Sequence, residues 1–135
     1  MKTEEIRKLI GQIPIFGICL GHQLCALALG GRTYKLKYGH RGANQPVTDG
    51  RRTWITTQNH GYAVDSDSMH GIADLSYWNA NDRSCEGLEY PALNCFTVQF
   101  HPEACAGPHD TAFLFDRFLN MIGEEDGNAE RQKHP

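Results

Sequence analysis

A cysteine in the segment 17–23 has the sequence surroundings of a catalytic nucleophile. Cys19 follows a short apolar run, precedes a run of helix-forming residues, and has Gly17 and Gly21 two residues away on either side. A sharp strand-to-helix turn of this kind exposes the nucleophile. The helix N-terminus favours a thiolate and can stabilise an oxyanion. We predict that Cys19 is a nucleophile, against the alternative that it is a small buried core residue.

A thiolate nucleophile needs an acid–base partner held by a third group. His101 and Glu103 follow an apolar strand and lie two residues apart, so in an extended segment they leave the same side of the chain. Pro102 restricts the backbone between them. The carboxylate could then orient the imidazole toward the thiol, giving a triad of Cys19, His101 and Glu103. We interpret His22, close to Cys19 in sequence, as structural or as a contact to neighbouring loops.

The elements needed to position this triad can be read from hydrophobic periodicity and glycine breaks. The run 13–18 is apolar almost throughout, as in a central parallel strand, and the helix 23–29 stops at Gly30. Only one short helix precedes that strand, so we expect part of the sheet to be missing. The other predicted segments are a helix over 3–10, strands over 32–38, 53–57, 73–79, 85–90 and 96–100, a loop over 39–46, and a helix over 111–122 capped by Asp110.

Length and composition indicate one domain over residues 1–122 and a polar, disordered tail over 123–135. A net charge of -3 without a long basic run predicts no nucleic-acid surface. With no signal peptide and no apolar run long enough to span a bilayer, we expect a cytoplasmic protein without a membrane partner.

The five cysteines are irregularly spaced and odd in number, which does not indicate a disulfide framework. His101, Cys105 and His109 are spaced four apart, as metal ligands on one helical face would be. Pro102 and the Gly-Pro pair at 107–108 make a continuous helix there unfavourable. We therefore predict no metal site.

Together, the elbow 17–23 and the segment 99–104 resemble class I glutamine amidotransferases. Three further segments are similar to the carbamoyl-phosphate synthetase branch of that family: 39–47, 58–64, and 107–110 with 114–116. The resemblance covers residues 6–122. It implies an α/β, flavodoxin-like fold, with a mostly parallel sheet flanked by helices and incomplete at its N-terminal side. Family members carry before the elbow a strand whose glycine-rich loop supplies a second oxyanion amide, and before it a separate domain.

The resemblance also implies a reaction. Cys19 attacks the side-chain amide of L-glutamine to give a glutamyl thioester and ammonia, His101 acts as acid and then base, and Glu103 orients it. Ammonia then passes to a large synthetase chain, which binds ATP and magnesium and makes carbamoyl phosphate for arginine and pyrimidine biosynthesis. This chain itself is expected to hold no cofactor. Matching the family motif gives the glutamine contacts as Leu20, Gln23, Asn59, Gly61 and Tyr62.

Two alternatives stay open at this point. The chain could be an inactive fragment that serves only as a binding module for the large chain. It could also be a related cysteine hydrolase acting on γ-glutamyl or peptide bonds, although the segment 58–64 argues against that. From the residues alone, an ordinary polar turn is the favoured interpretation of 58–61.

Overall fold

The computed structural model describes residues 3–104, 111 and 113–133. Six strands form one sheet in the order β1-β6-β5-β4-β2-β3. The strands are β1 (Ile15–Ile18), β2 (Arg32–Thr48), β3 (Thr53–Asp65), β4 (Asp74–Asn79), β5 (Cys85–Tyr90) and β6 (Cys95–Val98). The helices are α1 (Thr3–Leu9), α2 (Leu20–Ala28) and α3 (Phe113–Lys133). None of the helices described is both long and apolar enough to cross a lipid bilayer.

Helices cover the sheet on both faces, as strand alternation along β6 shows. Cys95 belongs to the core cluster that includes Ile6 of α1 and Ala26 of α2. Phe96, the next residue, belongs to a second cluster with Leu114 of α3. Because successive strand residues point to opposite faces, β6 is buried between two helical layers. The predicted α/β class is therefore confirmed.

The expectation of a mostly parallel sheet is wrong for the strands described. Only β1 and β6 pair in parallel, whereas β2/β3, β2/β4, β4/β5 and β5/β6 pair antiparallel. The reason lies in the connections: short segments link β2 to β3, β4 to β5 and β5 to β6, whereas parallel neighbours need a long crossover. In the single parallel pair of strands, the paired residues lie 80 positions apart in sequence.

The predicted loop over 39–46 is instead part of β2, and β3 continues well past the predicted end at residue 57. Gly39, Gly42 and Asn44 adopt φ angles of 71°, 79° and 82°. Such left-handed residues allow bulges, and the β2/β3 register shifts twice in this region. A glycine-rich polar segment therefore continues the strand instead of ending it.

The final helix is also longer than predicted. It continues to Lys133, so residues 123–133, which we expected to be disordered, are helical. Residues 124–133 are rich in Glu, Gln, Lys, Arg and Ala, which are favourable in helices. The predicted Asp110 cap lies outside the described residues.

Candidate functional site

Cys19 occupies a strained turn between β1 and α2. Its φ of 56° and ψ of -107° are unusual for a residue other than glycine, and backbone strain of this kind concentrates at functional sites. The Cys19 amide donates to the Val98 carbonyl at 2.9 Å, so the turn is fastened to β6. A Cβ atom at Gly17 would lie 2.8 Å from the Thr97 side chain, which explains why residue 17 is a glycine. A Cβ atom at Gly21, in contrast, would have no atom outside the backbone of its own helix within 4 Å.

The sulfur environment corrects one expectation. Burial raises the pKa of the Cys19 thiol above its ordinary value, and the Glu103 carboxylate raises that pKa further. Hydrogen bonds from the Leu20 backbone and the Gln99 side chain lower it without cancelling the burial. The helix N-terminus lies where the sequence predicts it, but partial burial outweighs its effect on the thiol in the chain alone.

His101 and Glu103 lie beyond the carboxyl end of β6. His101 Nδ1 lies 3.3 Å from a Glu103 carboxylate oxygen, and both side chains are partly exposed. The His101 amide donates to the Thr57 carbonyl of β3 at 3.5 Å. Because β1 and β6 are parallel, this pair and Cys19 leave the sheet at the same edge. The role of the three residues as a triad stays a prediction.

Gln23 links α2 to β3 beside the cysteine. Its side-chain amide nitrogen donates to the Tyr62 carbonyl at 3.1 Å and to Gln99 Oε1 at 2.9 Å. Leu20 is 61% exposed and Tyr62 52% exposed, large fractions for apolar side chains. Gln23 and the Tyr62 backbone therefore meet near Cys19, and Leu20 is the next residue in the chain after Cys19.

Asn59 and Gly61 lie on the outer side of β3, in a strand and not in a polar turn. Arg41 of β2 donates to Asn59 Oδ1 at 2.7 Å. A Cβ atom at Gly61 would lie 3.4 Å from the same guanidinium group. The Arg41 guanidinium therefore lies beside two predicted substrate contacts. The sequence motif did not predict this neighbour.

A buried polar cluster of His40, His60 and Glu86 lies beneath this part of β3. One donor atom from each lies within 4.8 Å of the others, so within the described ranges these side chains could hold a metal ion. The histidine ring nitrogens that face away from the cluster also have partners. His40 Nε2 lies 2.6 Å from the Asp82 carboxylate, and His60 Nδ1 lies 2.7 Å from the Tyr62 carbonyl. The prediction of no metal concerned 101, 105 and 109, of which the last two lie outside the described residues.

Two residues of this cluster have shifted pKa values. Burial raises the pKa of Glu86 to about 7 and lowers the pKa of His60 to about 4. Gln58 and Asn79 donate to one Glu86 oxygen at 3.0 and 3.2 Å, while the other oxygen is buried without a described hydrogen bond. Through His60 and the Tyr62 carbonyl, the cluster supports the strand that carries Asn59 and Gly61.

His22 has a structural environment, as interpreted from the sequence. It is fully buried, and its Nδ1 lies 2.7 Å from the Thr97 hydroxyl of β6. Burial lowers the pKa of His22 to about 3, so it is neutral near pH 7. This contact joins α2 to β6 directly behind the elbow.

Gln99 is a neighbour of the nucleophile to which the sequence patterns assigned no role. Its side-chain nitrogen lies 3.7 Å from Cys19 Sγ. The signal that could have found it is the parallel pairing of the two apolar strands, which makes 19 and 99 the next positions after partners 18 and 98.

The fold and this edge of the sheet define the class of protein. The family model for class-I glutamine amidotransferases matches residues 1–121, and the chain belongs to that family. Among its relatives, the carbamoyl phosphate synthase small chain of Syntrophotalea carbinolica is 57% identical over 122 residues, covering 88% of this chain and 32% of the relative. The small chain of Methanocaldococcus jannaschii is 52% identical over 120 residues, covering 87% and 34%. The chain spans about a third of the length of these relatives.

Solved structures agree with the family assignment. A protein from Thermoplasma acidophilum, described as a GMP synthase subunit, superimposes with a TM-score of 0.72 at 25% identity, covering 98% of this chain and 68% of that one. A glutamine amidotransferase from Thermotoga maritima gives a TM-score of 0.59 at 26% identity, covering 98% and 54%. The recognised family and the partial class I fold are thereby confirmed.

Proposed function

We propose that this chain carries the glutaminase site of a carbamoyl phosphate synthase small chain. The observation that carries the proposal is the strained Cys19 elbow fastened to β6, with the His101–Glu103 pair leaving the sheet at the same edge. Identity above 50% to small chains over nearly nine-tenths of the chain supports the particular branch of the family.

The proposed reaction has two steps. The Cys19 thiol gives its proton to His101 as its sulfur forms a bond with the side-chain amide carbon of glutamine. The carbon–nitrogen bond then breaks, and His101 passes the proton to the nitrogen, which leaves as ammonia. Water then attacks the carbonyl carbon of the glutamyl thioester while His101 takes a proton from the water. The sulfur–carbon bond breaks, glutamate leaves, and His101 returns the proton to the sulfur to restore the thiol. Glu103 holds the imidazole tautomer and stabilises its cation.

The predicted glutamine contacts have suitable chemistry for these steps. The Leu20 backbone amide, next to the nucleophile, can donate to the oxyanion. Gln23 and Asn59 offer amides to a zwitterionic amino acid, while Gly61 permits close approach to the backbone and Tyr62 borders the open side. Ammonia then serves a large synthetase chain, the proposed partner, which supplies ATP chemistry to make carbamoyl phosphate.

One observation favours a second candidate function. The raised pKa of the Cys19 thiol disfavours the thiolate in the chain by itself, as expected of a module that only binds the large chain. Glutamine turnover measured with and without that chain separates the two functions. Turnover that appears with the large chain and is lost in Cys19→Ser supports the glutaminase.

A labelling experiment tests the nucleophile directly. The protein is treated with a chloroketone analogue of glutamine, and each cysteine peptide is quantified by mass spectrometry. We expect modification at Cys19, prevented by excess glutamine but not by asparagine, whose side chain is one methylene shorter. The buried Cys25, Cys85 and Cys95 should be spared. Equal labelling of all the cysteines in the folded protein would contradict the proposal.

A further inference from the structure

Gln99 occupies the position beside the nucleophile that the sheet register dictates. Ile18 and Val98 are partners in the parallel pairing of β1 and β6, and Cys19 and Gln99 are the residues that follow them. The Cys19 amide bonds to Val98 and the Gln99 amide donates to the Glu86 carbonyl at 2.8 Å. Both backbones are therefore fixed at the edge where the proposed chemistry occurs.

The Gln99 side chain is fully buried and held at both ends. Its Oε1 accepts from Gln23 Nε2 at 2.9 Å, and its Nε2 donates to Cys19 Sγ at 3.7 Å, a suitable distance for a sulfur acceptor. A buried amide with both ends engaged keeps one rotamer. The Cys19 sulfur thereby lies against an amide whose orientation is fixed.

The orientation of this amide follows from the partners of Gln23. The Tyr62 carbonyl can only accept, so the Gln23 atom that contacts it at 3.1 Å is the nitrogen. That nitrogen also faces Gln99, so the Gln99 atom opposite it is the oxygen. The Gln99 nitrogen, with its two hydrogens, must then face the sulfur.

We infer that Gln99 is a positioning residue of the glutaminase site, which orients the Cys19 sulfur, favours its thiolate by donating a hydrogen bond, and couples it to the substrate contact Gln23. This inference rests on the proposed function. A donor favours the thiolate over the thiol, because the charged acceptor forms the stronger hydrogen bond. Gln99 thus opposes the effect of burial on the thiol.

Other charged or titratable groups act on the sulfur and must be separated from Gln99. The Glu103 carboxylate disfavours the thiolate, and His101 follows Gln99 at the same edge. From α2, His22 is buried and neutral near pH 7. All three stay in place when residue 99 alone is changed.

The test is the pH dependence of Cys19 alkylation by iodoacetamide, read at the Cys19 peptide in the full chain. Gln99→Met removes the donor at similar volume, and Gln99→Glu replaces it with a carboxyl group of nearly the same shape. We expect the midpoint of the profile to rise by about one pH unit in Gln99→Met and by more in Gln99→Glu. Gln58→Met, which changes a buried glutamine bonded to Thr56 and Glu86, is the matched control and should leave the midpoint unchanged.

An unchanged midpoint in folded Gln99→Met and Gln99→Glu would overturn the inference. If neither variant folds by circular dichroism, Gln23→Met is the deciding variant. Gln23 is partly exposed on α2, and its replacement removes the group that fixes the Gln99 rotamer. The midpoint should then rise by a smaller amount, and an unchanged value would again overturn the inference.

Turnover with the large chain gives a second readout. Gln99→Met should shift the kcat–pH profile to higher pH, so that kcat recovers at high pH. It should also raise KM, because Gln23, a predicted substrate contact, loses its hydrogen bond to Gln99. If the unchanged protein does not hydrolyse glutamine with its partner, the proposed function fails, while the alkylation profile still decides whether Gln99 controls the sulfur.

Discussion

Ile18 and Val98 lie opposite each other in the parallel pairing of β1 and β6. This register brings the turn at Cys19 to the same edge of the sheet as the segment that carries Gln99, His101 and Glu103. A slip of this register by one residue would move each β6 side chain to the opposite face of the sheet and separate Thr97 from His22. The candidate site therefore depends on a pairing between distant segments and not on either motif alone.

The two elbow glycines should respond differently to the same substitution. In Gly17→Ala the new methyl group meets the Thr97 side chain at 2.8 Å and the Gly21 backbone at 3.1 Å, so the free energy of unfolding should fall by about 1–3 kcal/mol. Gly21→Ala, with no such neighbour and a helical position, should be neutral or stabilising by up to about 1 kcal/mol. Urea unfolding of both variants checks this, and equal destabilisation would contradict the steric explanation.

His22 should make the fold sensitive to acid. Its folded-state pKa of about 3 lies below its ordinary value of 6.5, so the unfolded chain takes up its proton first and stability falls as pH drops through that window. His22→Met lacks this proton uptake. The stability of the wild type relative to the variant should decline by roughly 3 kcal/mol between pH 7 and pH 4. Urea unfolding at several pH values measures the decline, with the exposed His70→Met as control; a parallel response of wild type and His22→Met would count against it.

Glu86 should act in the opposite direction. Its folded-state pKa of about 7 lies above the ordinary 4.5, so the folded chain keeps a proton that the unfolded chain releases, and this group costs stability as pH rises from 4.5 to 7. Glu86→Gln retains an oxygen for Gln58 and Asn79 without the charge. The free energy of unfolding of the variant relative to the wild type should rise by roughly 2–3 kcal/mol across that range. Thermal and urea unfolding at pH 4.5 and 7.5 test this, and a constant difference would show that Glu86 is not the titrating group.

Local patterns predicted much of the fold and long-range effects changed the rest. The elbow, α1, α2 and β5 were predicted because each has its own periodicity and glycine breaks. The length of β2 was not, since positive φ angles at Gly39 and Gly42 yield bulges only when β3 pairs alongside. The role of Gln99 and the raised pKa of Cys19 were likewise missed, because both arise from burial and from contacts between distant segments.

Glu103→Gln should separate turnover from thiol reactivity. The carboxylate lies 3.3 Å from His101 Nδ1, and an amide of the same size cannot stabilise the imidazolium, so kcat for glutamine hydrolysis with the large chain should fall roughly 10- to 100-fold. The same carboxylate raises the pKa of Cys19, so its removal should lower that pKa and speed alkylation of Cys19 at pH 7.5 by less than tenfold. Steady-state kinetics and peptide-level alkylation measure the two effects, with the exposed Glu4→Gln as control. Opposite changes are expected only if Glu103 acts on both His101 and the sulfur; a parallel fall in both rates would indicate a general loss of structure at this edge instead.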